Sequence, residues 1–420
     1  MSLSERARLV FYSCYFMAGM GFFAVLFVPQ DSNLQAVGST KSFLISWLLL
    51  YVFSFLTVLK WQPKFSKVYF IVFFAPLFFV FSSLWSEQPL KSFVYSSSML
   101  LNGVFIISLL AYYSIDGLIK FLVNVLFVMV VLSLVLKILG ADFVNYIDIH
   151  SRLTVIGTEP IRGLFNHKIT AGLYSAIGLV ISLCIFSGLK RVLYITTFSV
   201  FNLLTGSATG IAMCAIGLVA ICFIRFARYF KVQSNVFVFI LIVLTILAIF
   251  VSYNYLTTIL ELLNRDPTLT GRTLLWSWAV NVISEQPVLG WGYLGYNGSY
   301  LAGNVAETYV QFENYNVPHF HNSYLQVLVE GGLVVFIPLI TCLFIAIKLF
   351  YSELSGTSSD KYYLAALAVL LVIMVAGIFV NLMYKYNDSI SMILMLFISY
   401  SYKVYSSRKS DGYKKRYSSK

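Results

Sequence analysis

Long apolar runs constrain this chain more than any other feature. Twelve can be read, near 9–28, 42–59, 68–84, 93–113, 117–138, 169–187, 192–205, 209–229, 234–256, 325–350, 363–384 and 387–404. A helix needs about 20 apolar residues to cross about 30 Å of hydrocarbon, and most of the runs come close to that. Barrel strands would instead alternate apolar and polar residues, and these runs do not. Hydrophobic residues make up 59% of the chain and mean hydropathy is +0.84. A soluble domain holds roughly 45–50% apolar residues. The expected fold is all-α, a polytopic bundle of about 12 transmembrane helices forming a single integral membrane domain over 1–420. The seventh run is the shortest and its boundaries are the loosest.

The basic residues orient the bundle, because cytoplasmic loops retain Lys and Arg. With the amino terminus inside, that side holds Arg6, Arg8, Lys60, Lys64, Lys67, Lys120, Lys190, Arg191, Arg225, Arg228, Lys231, Lys348, Lys361 and everything basic from Lys403 onward. These are about 20 of the 29 Lys and Arg residues. An even number of spans places both termini in the cytoplasm, with 405–420 as a basic tail suited to an anionic leaflet. The net charge of +12 therefore speaks for a membrane and against nucleic acid. Leu9–Val28 has no clear small-residue cleavage site, so no cleavable signal peptide is expected. Cys14, Cys184, Cys214, Cys222 and Cys342 all fall in apolar runs without paired spacing, and read as small core residues.

All four histidines, His150, His167, His319 and His321, then fall in two long outer loops, near 139–168 and 257–324. Arg152, Arg162, Arg265 and Arg272 lie there too. The inner loops are short, so any chemistry faces outward, where soluble nucleotide donors are absent. A donor used there is expected to ride on a lipid. There is no internal repeat and no Asp, Glu or Arg at a span centre, which weighs against a secondary transporter.

Within the larger loop, 272–286 reads as a helix. Leu275, Trp278, Ala279, Val282 and Ile283 recur at helical spacing, and Pro287 ends it. With its aromatic apolar face it is expected to lie on the bilayer surface or cap the bundle. Arg272 falls in its first turn, where free backbone amides favour anions. A guanidinium there suits a phosphate, or serves only as an interfacial anchor. Gly290-Trp291-Gly292-Tyr293 lets the backbone turn tightly and offers two aromatic faces, either to sugar rings or to the membrane interface. His319-Phe320-His321-Asn322 precedes the tenth span, where imidazoles can accept protons near neutral pH. Metal ligation and a structural hydrogen-bonding role are the alternatives. Glu330-Gly331-Gly332 then puts a carboxylate near the outer end of that span. It can pair with Arg272 or Arg162, orient a histidine, or cap local structure. In the first loop Arg162-Gly163-Leu164-Phe165-Asn166-His167-Lys168 forms a second candidate anion site.

These motifs together resemble the bacterial O-antigen polymerase and O-antigen ligase superfamily. They are Arg-Gly-x-Phe-x-His-Lys, Thr270-Gly271-Arg272 with Trp276 four residues on, Gly-Trp-Gly, and His-x-His-Asn followed by Glu-x-Gly. The similarity covers roughly 160–335 and is greatest to exopolysaccharide, capsule and O-antigen polymerases. It implies a membrane glycosyltransferase of the type C kind that needs no metal or other cofactor. The implied donor is an oligosaccharide on undecaprenyl diphosphate, and the implied face is periplasmic. Other polysaccharide export or chain-length proteins stay open as partners.

Residue by residue, the resemblance implies Arg272 on the diphosphate and His321 as base, with His319 and Glu330 as catalytic companions. Arg162, His167, Lys168 and Arg265 would complete the diphosphate site, and Trp291, Tyr293 and Asn322 would meet the glycan. Arg162 and His167 match the polymerase-like motif. The departure is at Thr205-Gly206-Ser207, where superfamily members often carry an Arg after a Ser. A ligase acting on lipid A-core, a transferase to protein and a glycolipid flippase remain as alternatives.

Overall fold

The computed structural model describes residues 3–22, 25, 41–61, 67–147, 153–262, 272–296 and 319–418. Thirteen α-helices run through these residues. They are α1 (Leu3–Met20), α2 (Lys41–Trp61), α3 (Lys67–Phe81), α4 (Pro89–Tyr112), α5 (Ile115–Ile138), α6 (Lys168–Ile185), α7 (Gly188–Leu204), α8 (Ala208–Tyr229), α9 (Ser234–Leu262), α10 (Arg272–Glu285), α11 (Ser323–Ser352), α12 (Asp360–Ala376) and α13 (Ser389–Ser418). Among the described residues no strand forms, only an isolated antiparallel bridge between Asn145 and Ile161. A helix answers every apolar run, and the thirteenth, α10, ends within a residue of the expected 286. By length and composition, α4, α5, α6, α8 and α11 can each cross a membrane. Shorter apolar stretches lie at Ile45–Lys60, Val68–Leu84 and Ser234–Leu247.

Burial runs opposite to that of a water-soluble bundle. Leu48, Phe53, Phe70, Val219, Phe239 and Ile246 stand exposed on helix faces, as lipid-facing residues would. Ser54, Ser96, Ser108, Ser133 and Ser182 are buried, and their hydroxyls donate to carbonyls three or four residues back. Lipid offers those groups no partner, so the helix must. Close approach replaces a hydrophobic driving force between the helices. A Cβ on Gly210 of α8 would lie 2.7 Å from the Cα of Gly172 on α6, and one on Gly217 would lie 2.2 Å from a Val180 methyl.

Each end of the bundle is stitched separately. At one end Ile161 N–H donates to Leu204 (3.0 Å), Ser323 N–H to Gly377 (2.7 Å), and Ser389 Oγ to Phe16 (2.7 Å). At the other, Tyr351 Oη donates to Val232 (3.0 Å), Lys403 Nζ donates to Leu110, and Lys120 Nζ lies 5.2 Å from the Tyr362 ring centroid. The described candidate residues of both long loops sit at the first end.

Candidate functional site

The site is framed by a helix that breaks and is respliced. Gly332 adopts φ 56° and ψ −160° inside α11, so Leu333 and Val334 cannot donate to Val329 and Glu330 as a helix requires. The segment after α10 fills the gap. Leu333 N–H donates to the Pro287 carbonyl (2.9 Å) and Val334 N–H to that of Val288 (3.2 Å). In return Trp291 N–H donates to Val329 (2.8 Å) and Gly292 N–H to Glu330 (3.0 Å). The two short motifs are thus one backbone clasp. Its glycines are sterically required, because a Cβ on Gly290 would lie 2.6 Å from the Glu330 carbonyl carbon and one on Gly332 would lie 2.2 Å from the Val288 oxygen.

The clasp docks α10 on α11. Ala279 and Val282 bury against Phe320 and Val329, with Trp278, Ile283, Trp291 and Tyr296 packed around them. Of the two placements expected for α10, capping the bundle is the one seen. Trp276 Nε1 donates to the Phe320 carbonyl at 3.2 Å, between the histidines. Arg272, one turn earlier, lies in the first turn of α10 as expected, and its charge acts on both rings.

The His319–His321 segment folds back on itself. His321 takes φ +52°, its backbone N–H donates to His319 Nδ1 at 3.3 Å, and the ring centroids stand 4.3 Å apart at 78°. Neutral His319 accordingly carries its proton on Nε2. Burial, and then the Arg272 guanidinium, push His321 down to about 4 from 6.5. Burial, followed by His321, Lys385 and Arg272, pushes His319 down to about 3. Both imidazoles are therefore neutral near pH 7, beside a fixed cation. A neutral imidazole next to a guanidinium can take a proton from a hydroxyl while an anion is held alongside.

Of the places its sequence position left open, Glu330 takes the one within local structure. It is 3% exposed, and its Oε1 accepts from Gln326 Nε2 (2.8 Å) and Leu294 N–H (3.3 Å). Gln326 Oε1 in turn accepts from Phe320 N–H at 3.1 Å. Among the described residues, this carboxylate bonds neither to a histidine nor to Arg272. Among the described residues its hydrogen-bonded link to the His-Phe-His segment runs through Gln326.

Two of the three expected glycan contacts are also taken up by the fold. Tyr293 is 2% exposed, and its hydroxyl donates to the Tyr384 carbonyl while accepting from Tyr386 N–H, both at 2.9 Å. Its ring is in the core, so stacking on a sugar there is corrected to a structural role. Asn322 Oδ1 caps α11, accepting from Tyr324 N–H (2.9 Å) and Leu325 N–H (3.1 Å). Trp291 is half-buried and its Nε1 donates to Val282 at 3.0 Å.

In the first loop, sterics and capping explain most of the Arg-Gly-x-Phe-x-His-Lys motif. Gly163 has φ +61°, and a Cβ there would lie 2.5 Å from Ser133 Oγ. Phe165 is buried and stacks on Tyr174 at 5.4 Å. His167 caps α6 through Nδ1, which accepts from Ile169 N–H (3.1 Å), while its Nε2 bonds the Tyr146 hydroxyl (2.6 Å). Both ring nitrogens thus have protein partners, which moves His167 from diphosphate ligand to helix cap. Arg162 Nε donates to Phe143 at 3.2 Å, and burial lowers its pKa. Lys168 Nζ lies 5.3 Å from the Tyr146 ring centroid. Where the superfamily Arg is missing, Ser207 caps α8 and Gly206 packs beside Thr154 and Pro160. Arg265, His150, Arg152, Thr270 and Gly271 lie outside the described residues, as do parts of both long loops.

Sequence reasoning assigned nothing to Gln326, Lys385 or Ser323, and gave Trp276 no task of its own. Trp276 was within reach, four residues after the Arg. Ser323 acts through residues more than fifty positions away, while Gln326 and Lys385 bond residues three to six positions away without belonging to any of the motifs. Among the described residues no group of three or more His, Cys, Asp or Glu side chains is arranged to hold a metal.

Fold and site define an all-helical membrane protein that gathers cations and neutral imidazoles at one end of its bundle. Residues 192–340 match the family described as O-antigen ligase, a stretch running from α7 past the break in α11. Over 107 residues the chain is 30% identical to the exopolysaccharide production protein ExoQ of Rhizobium meliloti (strain 1021). That match spans 24% of this chain and 23% of the relative. Both matches support the resemblance to the O-antigen ligase and polymerase superfamily that the motifs carry.

Proposed function

We propose that this protein is a polymerase that joins oligosaccharide repeats carried on undecaprenyl diphosphate. About twelve of its helices cross the bacterial inner membrane, both termini are cytoplasmic, and the site opens to the periplasm. A hydroxyl of one repeat attacks the anomeric carbon of the growing glycan. The bond from that carbon to the diphosphate oxygen breaks with inversion, and His321 takes the hydroxyl proton. Arg272 holds the departing diphosphate, with Arg162 and Lys168 of the other loop at the same end of the bundle. The observation that carries this reading is the Trp276–Phe320 bond, which ties the helix that begins at Arg272 to the segment of His319 and His321. Arg272 by itself weakens His321 as a base. A diphosphate on the guanidinium offsets that charge, so donor binding strengthens the base.

The relative's name concerns exopolysaccharide production and supports polymer formation, whereas the family description favours ligation. Replacing His321 with Ala separates the outcomes. Loss of polymer with accumulation of lipid-linked single repeats at the outer face is expected, and unchanged polymer would refute the base. If deletion leaves full-length polymer on undecaprenyl diphosphate and none on lipid A-core, the protein is a ligase. Repeats trapped on the cytoplasmic side would make it a flippase.

A further inference from the structure

Between α12 and α13, residues 377–388 form a connection fixed to the site at many points. Ser323, which follows the His-Phe-His-Asn segment, donates its N–H to Gly377 (2.7 Å) and its Oγ to Val380 (2.8 Å), and accepts from Leu382 N–H (2.8 Å). The hydroxyl of Tyr293 grips Tyr384 and Tyr386 on either side of Lys385. Lys385 N–H donates to Ser391 Oγ at 3.1 Å. Asn387 Oδ1 accepts from Tyr51 Oη (2.5 Å) and Asn102 Nδ2 (3.1 Å), reaching α2 and α4. Two non-glycine residues beside Lys385, Tyr384 and Asn387, adopt left-handed φ values of 51° and 50°. Such backbone costs of order 1–3 kcal/mol per residue and persists where the surroundings impose it.

The connection holds one cation in a defined place. Lys385 Nζ lies 3.5 Å from Asp388 Oδ2, with the lysine side chain 37% exposed and the aspartate 6%. Asp388 is committed to the helix as well, because its Oδ1 accepts from Ile390 and Ser391 N–H, both at 3.0 Å. A half-exposed ion pair contributes little to stability, about 0–1 kcal/mol, so stability alone gives weak reason for so rigid a mounting. His319 is influenced by both Lys385 and Arg272, which arrive from separate elements. The Trp276–Phe320 bond ties the helix of Arg272 to the His-Phe-His segment, and the three bonds of Ser323 tie the connection of Lys385 to the residue that follows it. A guanidinium and an ammonium thus reach the same end of the bundle from two elements and together suit a dianionic group.

We propose that Lys385 is a binding residue of this site, taking the diphosphate of a polyprenyl-linked glycan together with Arg272 while Asp388 holds its ammonium in position. This rests on the reading of the site given above. Lys385 is mounted on a different element from Arg272 and from the first-loop cations. It therefore supplies a contact that the two motif-bearing loops lack.

Binding of undecaprenyl diphosphate to the full-length protein in nanodiscs tests this, with thermal unfolding as the folding control. Lys385→Ala is expected to weaken binding about tenfold or more, and Lys385→Arg to recover most of the loss. If Lys385→Ala lowers thermal stability, Lys385→Gln replaces it, because it retains a polar side chain at this half-exposed position and removes the charge. Unchanged affinity in the Ala or Gln variant, with loss in Arg272→Ala, would overturn the role of Lys385 and leave the functional reading standing. If the parent protein fails to bind undecaprenyl diphosphate, both fall together. Comparison with inorganic pyrophosphate separates the sources of the diphosphate. Comparable affinity for the free ion would overturn the polyprenyl assignment, while a clear preference for the lipid supports it.

Discussion

Trp276 donates its indole N–H to the carbonyl of Phe320, and this one bond joins the helix that carries Arg272 to the segment that carries both histidines. The cation and the imidazoles come from stretches more than forty residues apart in sequence, so their registry depends on contacts of this kind. Trp276→Phe keeps the ring and removes the donor. Glycan extension measured on purified protein is expected to slow about two- to tenfold, the effect of one net hydrogen bond, with folding retained. An unchanged rate would mean that packing alone sets the registry.

The histidines predict an unusual acid limb. Because burial and Arg272 push His321 down to about 4, its neutral form persists well below the ordinary 6.5. The pH profile of kcat/KM, which reports the free enzyme, should stay level as pH falls through 6.5 and decline only toward pH 4–5. A limb centred at 6.5 would contradict the burial and the Arg272 influence. Stability follows with a definite sign. Native His319 and His321 titrate at about 3 and about 4, the unfolded chain at 6.5, so the unfolded state binds more protons throughout that interval. Their contribution is complete above pH 6.5 and is lost as pH falls from there toward 4. Melting temperatures recorded across that range should fall, and fall less in the double variant with Gln at 319 and 321.

Gly332→Ala is expected to disrupt the clasp. The new methyl would sit 2.2 Å from the Val288 oxygen, at a φ and ψ combination that only glycine adopts readily. A loss of about 3 kcal/mol or more, or failure to accumulate in the membrane, should follow. Gly356→Ala is a control for positive φ alone, because its φ is 89° and nothing lies within 4 Å of its Cβ position. Similar folded yields for the two variants would refute the steric argument.

Helix positions were legible because lipid imposes a strong rule. Every stretch of backbone inside it must satisfy its own hydrogen bonds, so apolar runs become helices wherever they occur. Helix α10 was legible for a related reason, its apolar periodicity ending at Pro287. The meaning of the short motifs was less accessible. Gly-Trp-Gly reads as a tight turn offering aromatic faces, yet Gly290 is there to approach Glu330 and Gly331, Gly292 to approach Ser82 and Ser86, and Tyr293 points into the core. Glu330 needs a partner because buried charge is costly, and where the sequence leaves an arginine, a histidine or local structure open, the structure supplies Gln326 and Leu294. His167 reads as a ligand and serves as a cap.

What the sequence determined by itself was the membrane class, the helix positions and the residue types gathered in two loops, since these follow from local composition and a uniform solvent. Only the tertiary structure decided which of those residues face one another. The splice of 287–292 into α11, the bond from Trp276 to Phe320 and the mounting of Lys385 through Ser323 and Tyr293 all join residues far apart in sequence. Such pairings depend on the packing of the whole bundle, which no local pattern records.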